Sequence, residues 1–323
     1  MALREIVGLC LVTWAVLAPL PATGADTYPA KPVRIVVPFG PGGVADVTIR
    51  VIAQKLSERM GQQFIVENKP GAGGIAAAQA VTQAKPDGYT LFLVSNGTAV
   101  SASLFKSLPF DPVKDFAPVG TLAFFSLGIV VNSDGKVATL ADLVAAGKAG
   151  TRLNVGTINI GSTQHLAAEL FKSQTGIDLT IVPYKSSPDV VAALRAKDVQ
   201  VVFEILPPLL PQIKSGWMRA LAVTGEQRFP GLPNVPTSVE SGLKDYKVTS
   251  WNGISAPAGT PPAVVERLNK EIQAIVAMPD VKQKLLDLGV EARGSTPQAL
   301  DQLLVAEIDK WKQVVARAKI EKQ

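Results

Sequence analysis

The chain has 323 residues, 47% of them hydrophobic and 18% charged, with 32 Lys and Arg against 27 Asp and Glu for a net charge of +5. This is a globular composition without a low-complexity tract, and its length suits two domains or one large one. The basic residues are spread along the chain with no Lys/Arg cluster interleaved with aromatics, which gives a nucleic-acid partner no support.

The N-terminus carries an almost unbroken apolar run at residues 6–20, preceded by Arg4 and followed by Pro-Ala-Thr-Gly-Ala at 21–25. That is the layout of a signal peptide, and cleavage is expected after Ala25; the alternative is a retained anchor, for which the run is short. Cys10, the one cysteine, lies inside the run, with Leu9 where a lipoprotein signal would want a small residue. The exported chain then has no thiol, which removes disulfides, Cys nucleophiles and Cys-ligated metals. No second long apolar run follows, so a soluble exported protein is expected.

Two later stretches share one plan. In the first, residues 33–39 read as a buried strand, Gly40-Pro-Gly-Gly43 as a turn, and Ile49, Ile52, Leu56 and Met60 as one helix face stopped by Gly61. Residues 64–66 form the next strand, Gly71-Ala-Gly-Gly74 opens a small-residue helix to about residue 84, and 89–94 closes the unit. In the second, 153–157, 179–182 and 199–203 read as strands, and Leu166, Ala167, Leu170 and Phe171 as a helix face ending at Gly176. Ser187-Pro188 caps another helix. Each stretch is a βαβαβ unit, so the fold class is α/β with parallel sheets between helices.

The C-terminal third offers Thr260-Pro261 and Thr296-Pro297 as helix starts, the last helix showing Leu300, Leu304, Ile308, Trp311 and Val315 on one face. With no strands of their own, these helices are expected to pack on a lobe already built. Crossings near 127–131 and 248–254 then make a hinged two-lobe binding protein. The expected division is a signal peptide at 1–25, lobe 1 at 26–126 with 252–323, and lobe 2 at 127–251.

Ligands of open parallel sheets collect at the carboxyl ends of strands, beside helix N-termini. The short loops 40–43, 71–74 and 161–163 occupy that position and suit a carboxylate or phosphate through close backbone N–H groups and helix dipoles. No P-loop occurs, and Gly40-Pro-Gly-Gly43 lacks the third glycine of a dinucleotide fingerprint. His165 is the one histidine, which excludes a His-rich metal site, and no Gly-x-Ser-x-Gly elbow accompanies it. It reads first as a loop-stabilising hydrogen-bonding group, then as a lining residue, and last as a catalyst. Asp46 reads as a helix cap or as a brace for the ligand loop. Glu204 ends a strand facing the expected cleft, where it would select a hydroxyl, amine or protonated group, or pair with a lysine.

Several segments together resemble a known family: Tyr-Pro-x-Lys-Pro-Val-Arg-Ile-Val-Val-Pro-Phe-Gly-Pro-Gly-Gly at 28–43 with Asp46, Val-Glu-Asn-Lys-Pro-Gly-Ala-Gly-Gly at 66–74, and Lys-Pro-Asp-Gly-Tyr-Thr-Leu at 85–91. His-Leu-Ala-Ala-Glu-Leu-Phe at 165–171, Val-Pro-Tyr-Lys at 182–185 and Ala-Pro-Ala-Gly-Thr-Pro at 256–261 follow in order. The chain resembles the Bug-type extracytoplasmic solute receptors of tripartite tricarboxylate transporters over essentially its whole mature length. The resemblance implies a type II Venus flytrap, a periplasmic location and a monomer that is not an enzyme and carries no cofactor or metal. Its partners would be a small carboxylate (di- or tricarboxylate, aromatic acid or acidic amino acid) and integral-membrane transporter subunits.

Carried onto this chain, the family's carboxylate-holding positions are Phe39, Gly40, Pro41, Gly42 and Gly43, then Ala72, Gly73 and Gly74, and in lobe 2 Ser162 and Thr163, with Ile160 and Gly161 of the same loop as further candidates. Asn96 and Thr98, on the loop after the third strand, are further candidates, beside Asp46, His165 and Glu204. A bulky residue at Gly73 is expected to block the ligand without unfolding the lobe. Two departures bear on the ligand: Ile158 and Ile160 stand in a loop usually made of Ser, Gly and Asn, and Glu204 stands where Asp is usual. The first points to an aliphatic or aromatic carboxylate. A ligand-presenting sensor protein and an exported hydrolase remain as alternatives, without a sequence feature in their favour.

Overall fold

A computed structural model describes residues 28–323, so the expected leader and Cys10 lie outside the described residues. The first unit consists of β1 (Val33–Val37), α1 (Val44–Met60), β2 (Phe64–Asn68), a single 3₁₀ turn (Ala72–Gly74) running into α2 (Ile75–Thr82), β3 (Thr90–Ser95) and α3 (Asn96–Leu104). Helix α1 buries Ile49, Ile52 and Leu56 and stops at Gly61, whose φ of 71° suits a residue without a Cβ. The long β4 (Phe116–Asn132) follows, then α4 (Leu140–Lys148).

The second unit repeats the first: β5 (Leu153–Ile158), α5 (Thr163–Thr175), β6 (Leu179–Tyr184), α6 (Ser187–Ala196), β7 (Val201–Ile205) and α7 (Leu206–Lys214). The chain continues through β8 (Met218–Val223), β9 (Thr249–Pro257), α8 (Pro262–Ala277), α9 (Pro279–Asp287), β10 (Glu291–Ala292) and α10 (Pro297–Arg317).

The first sheet runs β2-β1-β3-β9-β4, with β10 on the other side of β4. The second has β4 followed by β7, β5 and β6, with β8 on the other side of β4. Within each unit the first strand pairs in parallel with both others, giving the same order twice, β2-β1-β3 and β6-β5-β7. The neighbours of β4 and β9 are antiparallel. Strand β4 changes sheets along its length: Ser126 is opposite Thr249 of β9, and the next residue, Leu127, is opposite Ile205 of β7.

Some local expectations shift. Residues 96–104 are a helix rather than a loop, because tertiary contacts outweigh the turn-like Asn-Gly-Thr sequence. Ser103 Oγ donates to Ile308 O of α10 at 3.0 Å, and Trp311 Nε1 donates to Asn96 Oδ1 at 2.8 Å. Helix α7 forms despite Pro207, Pro208 and Pro211, since the first two fall in the turn whose N–H groups have no intrahelical partner and Leu206, Leu209 and Leu210 bury one face. The C-terminal third does hold one short strand, β10, beside β4. Helix α8 is capped at Pro261, one residue past the expected Thr260.

A single hydroxyl ties the two crossing segments. Thr224 is fully buried. Its Oγ1 accepts from Leu127 N at 3.1 Å and donates to Val248 O. Thr224→Val keeps the shape and strands both backbone groups, so it is predicted to lower stability by about 1–3 kcal/mol. Urea unfolding should show this as a lower midpoint at unchanged slope, and an unchanged midpoint would remove Thr224 from the crossing.

Candidate functional site

The loop after β1 is held from beneath. Asp46 is 2% exposed, and its carboxylate accepts from Gly42 N at 2.9 Å, Arg50 Nε at 2.9 Å and Asn68 Nδ2 at 2.8 Å. Asn68 Nδ2 also reaches Phe39 O at 3.0 Å, and Arg50 donates to Asn68 Oδ1 at 2.9 Å. Burial alone would raise the Asp46 pKa, but the hydrogen bonds from Arg50, Gly42 and Asn68 outweigh it and hold the carboxyl below its usual range. Asp46 is therefore a brace: it fixes Phe39 to Gly42, so that Gly43 and the first turn of α1 open toward the cleft.

The second-sheet loop is built in the same way. Ser162 caps α5, its Oγ accepting from His165 N at 3.0 Å and donating to Ile158 O at 3.0 Å. His165 Nδ1 accepts from Gly161 N at 3.5 Å, so His165 is buried behind the loop it steadies. Gln164 Nε2 donates to Glu204 Oε1, which also takes Ile205 N at 2.8 Å. Glu204 is fully buried, and Oε2 has no partner. Burial pushes its pKa up, only partly offset by the bonds from Gln164 and Ile205. Thr163 Oγ1 accepts from Asn96 Nδ2 at 2.7 Å, a bridge from α5 to α3.

Two adjoining cavities lie between the sheets and share Phe39, Ser95, Gly97, Gly161 and Ser162 as walls. The larger, about 400 Å³, also meets Ala72, Gly73, Gly74, Thr98, Asn159 and Ile160. The smaller, about 280 Å³, also meets Gly43, Val44, Ala45, Phe125, Ile158, Thr163, Gln164, Ile205, Ser250 and Asn252. Phe39 and Ile160 are the most exposed of these apolar walls, at 37% and 55%. No charged side chain lines either cavity among the described residues. An anion there would meet backbone N–H groups and the N-terminal turns of α1, α2 and α5 instead.

The sequence candidates divide accordingly. Phe39, Gly43, Ala72, Gly73, Gly74, Thr98, Ile160, Gly161, Ser162 and Thr163 line the cavities. Gly40, Pro41, Gly42, Asp46, Asn96, His165 and Glu204 do not line them; the last three bond lining residues from behind, and Asp46 reaches the lining Phe39 only through Asn68. Gly73 has a φ of 63°, and a Cβ there would lie 2.9 Å from the Phe105 ring, so a bulky residue would distort the turn as well as the site. Sequence reasoning missed Gly97, between the candidates Asn96 and Thr98, and it missed Ser95, Phe125, Ile205, Ser250 and Asn252, which strand pairing brings to the cleft. It also missed Arg50 and Asn68.

The fold and cleft define a two-lobe periplasmic binding protein. Residues 48–320 match the profile of the tripartite tricarboxylate transporter family receptor, and the chain belongs to that family. Protein BugT of Bordetella pertussis is 35% identical over 97% of this chain and 96% of its own. Among solved structures, the periplasmic binding protein BugD superposes with a TM-score of 0.76 at 33% identity, covering 92% of this chain and all of that one. An R. palustris protein with adipate gives 0.79 at 35% identity over 92% of this chain and all of that one. MatC from Rhodopseudomonas palustris with bound malate gives 0.74 at 32% identity over 89% of this chain and all of that one. BugD is a periplasmic binding protein, and the family is one of receptors that work with membrane transporters. Among the described residues, no helix is long and apolar enough to cross a membrane.

Burial lowers the pKa of His165 below its ordinary value. The unfolded chain takes this proton near about pH 6.5, while the folded chain resists it, so the group's effect is level above that pH and destabilising below it. His165→Gln should narrow the difference between urea midpoints measured at about pH 7.5 and about pH 5.5. Equal differences in parent and variant would show that the folded protein protonates His165 without cost.

Proposed function

We propose that the protein is an exported receptor that closes two lobes on a small carboxylate with an apolar body and delivers it to a membrane transporter. In this reading residues 1–25 direct export, residues 26–126 with 252–323 form one lobe, and residues 127–251 form the other. The observation that carries the reading is the cleft itself: helix N-terminal turns from both sheets meet there around Gly43, Gly74 and Ser162, with no charged side chain in the lining. Backbone N–H groups gain strength as closure removes water, and the carboxylate needs no cationic side chain.

The relatives' ligands, adipate and malate, are both dicarboxylates. The walls favour the longer body for this chain, because Phe39, Phe125, Ile158, Ile160 and Ile205 surround the space beyond the carboxylate position. Apolar surface removed from water contributes about 25 cal/mol per Å², which a four-carbon diacid hardly collects. Contacts made to both lobes shift the hinge toward the closed form that a transporter recognises. No set of nucleophile, base and oxyanion donors accompanies the cleft among the described residues, so retention rather than turnover is the proposed fate of the ligand.

A thermal-shift panel of malate, citrate, adipate and benzoate tests this. An acid at about 100 times its dissociation constant adds about 2.7 kcal/mol of stability, enough for a rise of several degrees. Adipate or benzoate should shift the melting temperature more than malate or citrate, and the reverse order would overturn the apolar-body assignment. Gly43→Val is the companion variant. Gly43 has a φ of −73°, and the nearest neighbour of an added Cβ is Gly40 O at 3.8 Å, so the fold has room for the side chain, which intrudes on the ligand. Affinity should fall by about tenfold or more, and a folded variant with parent affinity would remove the α1 N-terminus from the site.

A further inference from the structure

The smaller cavity contains a pair of polar groups that the fold leaves without partners. Ser95, at the end of β3, and Asn252, on β9, are directly opposite each other in the antiparallel pairing of the two strands. Both are 2% exposed. Asn252 Nδ2 has no hydrogen-bond partner, and Ser95 Oγ, which faces the Thr98 N–H as the N-cap of α3, makes no hydrogen bond of normal geometry. Opposite residues of an antiparallel pair project to one face with their Cβ atoms about 5 Å apart, so the two groups converge on one spot at the cavity wall.

Their neighbours make this unusual. Apart from Ser250 on β9 and the first turn of α5, the cavity is otherwise walled by glycines and by Phe39, Val44, Ala45, Phe125, Ile158 and Ile205. The lining polar side chains of α5 are already engaged: Ser162 in capping, Thr163 with Asn96, and Gln164 with Glu204. A buried donor left unpaired in such surroundings is costly, and the cost is recovered when a bound molecule supplies an acceptor.

Building on the carboxylate reading above, we infer that Asn252, with Ser95, is a specificity determinant that hydrogen-bonds an oxygen at the far end of the ligand. The ligand class is a carboxylic acid with an apolar body of about six carbons, short enough for the volume of a compact ligand site, and an uncharged hydroxyl or carbonyl oxygen at its other end. The amide of Asn252 and the hydroxyl of Ser95 both offer hydrogens, which an oxygen acceptor takes and a methyl group does not. A second full charge fits less well, because no cationic side chain lines the cavity among the described residues.

The test uses hexanoate, 6-hydroxyhexanoate and adipate as calorimetric titrants of the purified protein and of Asn252→Leu and Ser95→Ala. Hexanoate and 6-hydroxyhexanoate differ only at the far end. The parent should bind the hydroxy acid about tenfold tighter than hexanoate, and Asn252→Leu should reduce that ratio to about one while keeping hexanoate affinity. Ser95→Ala should reduce the ratio partly, and it supplies the answer if the Leu variant does not fold. A purely structural role for Asn252 would weaken both acids together and leave the ratio unchanged, which overturns the inference. Equal binding of hexanoate and the hydroxy acid by the parent also overturns it, with the carboxylate reading intact. Adipate binding tighter than the hydroxy acid would overturn the assignment of an uncharged oxygen. Silence from all three acids overturns this inference, and the panel of malate, citrate, adipate and benzoate then decides the carboxylate reading separately.

Discussion

Strand β4 is the constraint on which the molecule depends, because it is a member of both sheets. Its first part pairs with β9 and β10, and its last with β7 and β8, with no break between Ser126 and Leu127. A shift of one residue in either pairing would reverse every side chain on that part of the strand. The alternation has a direct consequence at the crossing. Phe125 faces the ligand cleft, whereas Phe124 and Ser126 face a separate groove of about 790 Å³ on the other side. Strand β9 does the same, with Ser250 and Asn252 toward the cleft and Thr249 toward the groove. The crossing is thus a wall between two spaces.

That wall brings the two sheets' helix N-termini into opposition, and the cleft chemistry follows from it. An anion held by backbone groups requires those groups to be set in advance, since a mobile loop would lose its ordering entropy on binding. Both loops are set from behind by side-chain hydrogen bonds, centred on the buried Asp46 and His165. Asp46, Arg50 and Asn68 fix the loop ahead of α1, while Ser162 and His165 fix the loop ahead of α5. The two braces use different electrostatics. Asp46 keeps its charge because three donors converge on it, whereas His165 stays neutral because burial disfavours its charge. Neither brings an ion into the cleft.

The fold was legible where local chemistry and tertiary structure agree. The β-branched run at β1, the helix face of α1 and the stop at Gly61 report their structure within a few residues, and the second unit repeats them. The loops at 40–43, 71–74 and 161–163 were legible because glycine marks both sharp turns and close backbone approach. What remained hidden depends on distant pairing. Ser95 and Asn252 meet only because β3 and β9 are antiparallel neighbours, and nothing beside either residue marks the meeting. Helix α3 was hidden because Asn96-Gly97-Thr98 resembles a turn and becomes a helix against α10. The direction of Glu204 was hidden as well: a position at a strand end suggests the cleft, but Gln164 covers it.

The physical division within the site bears on how this family varies. Backbone donors at helix N-termini are nearly independent of side-chain identity, so a carboxylate held as proposed would stay held through substitution as long as the braces and glycines remain. On the proposed reading, ligand preference would reside in side chains that the sheet strands and their ends present to the cavity, here Phe125, Ile158, Ile205 and Asn252. Such positions lie outside the glycine motifs by which the family is recognised, and each can change without disturbing a turn. A receptor of this construction can therefore exchange one acid for another through a few strand residues. The same separation explains why family membership is plain in this sequence while the identity of its ligand is not: the residues that establish the first are not those that decide the second.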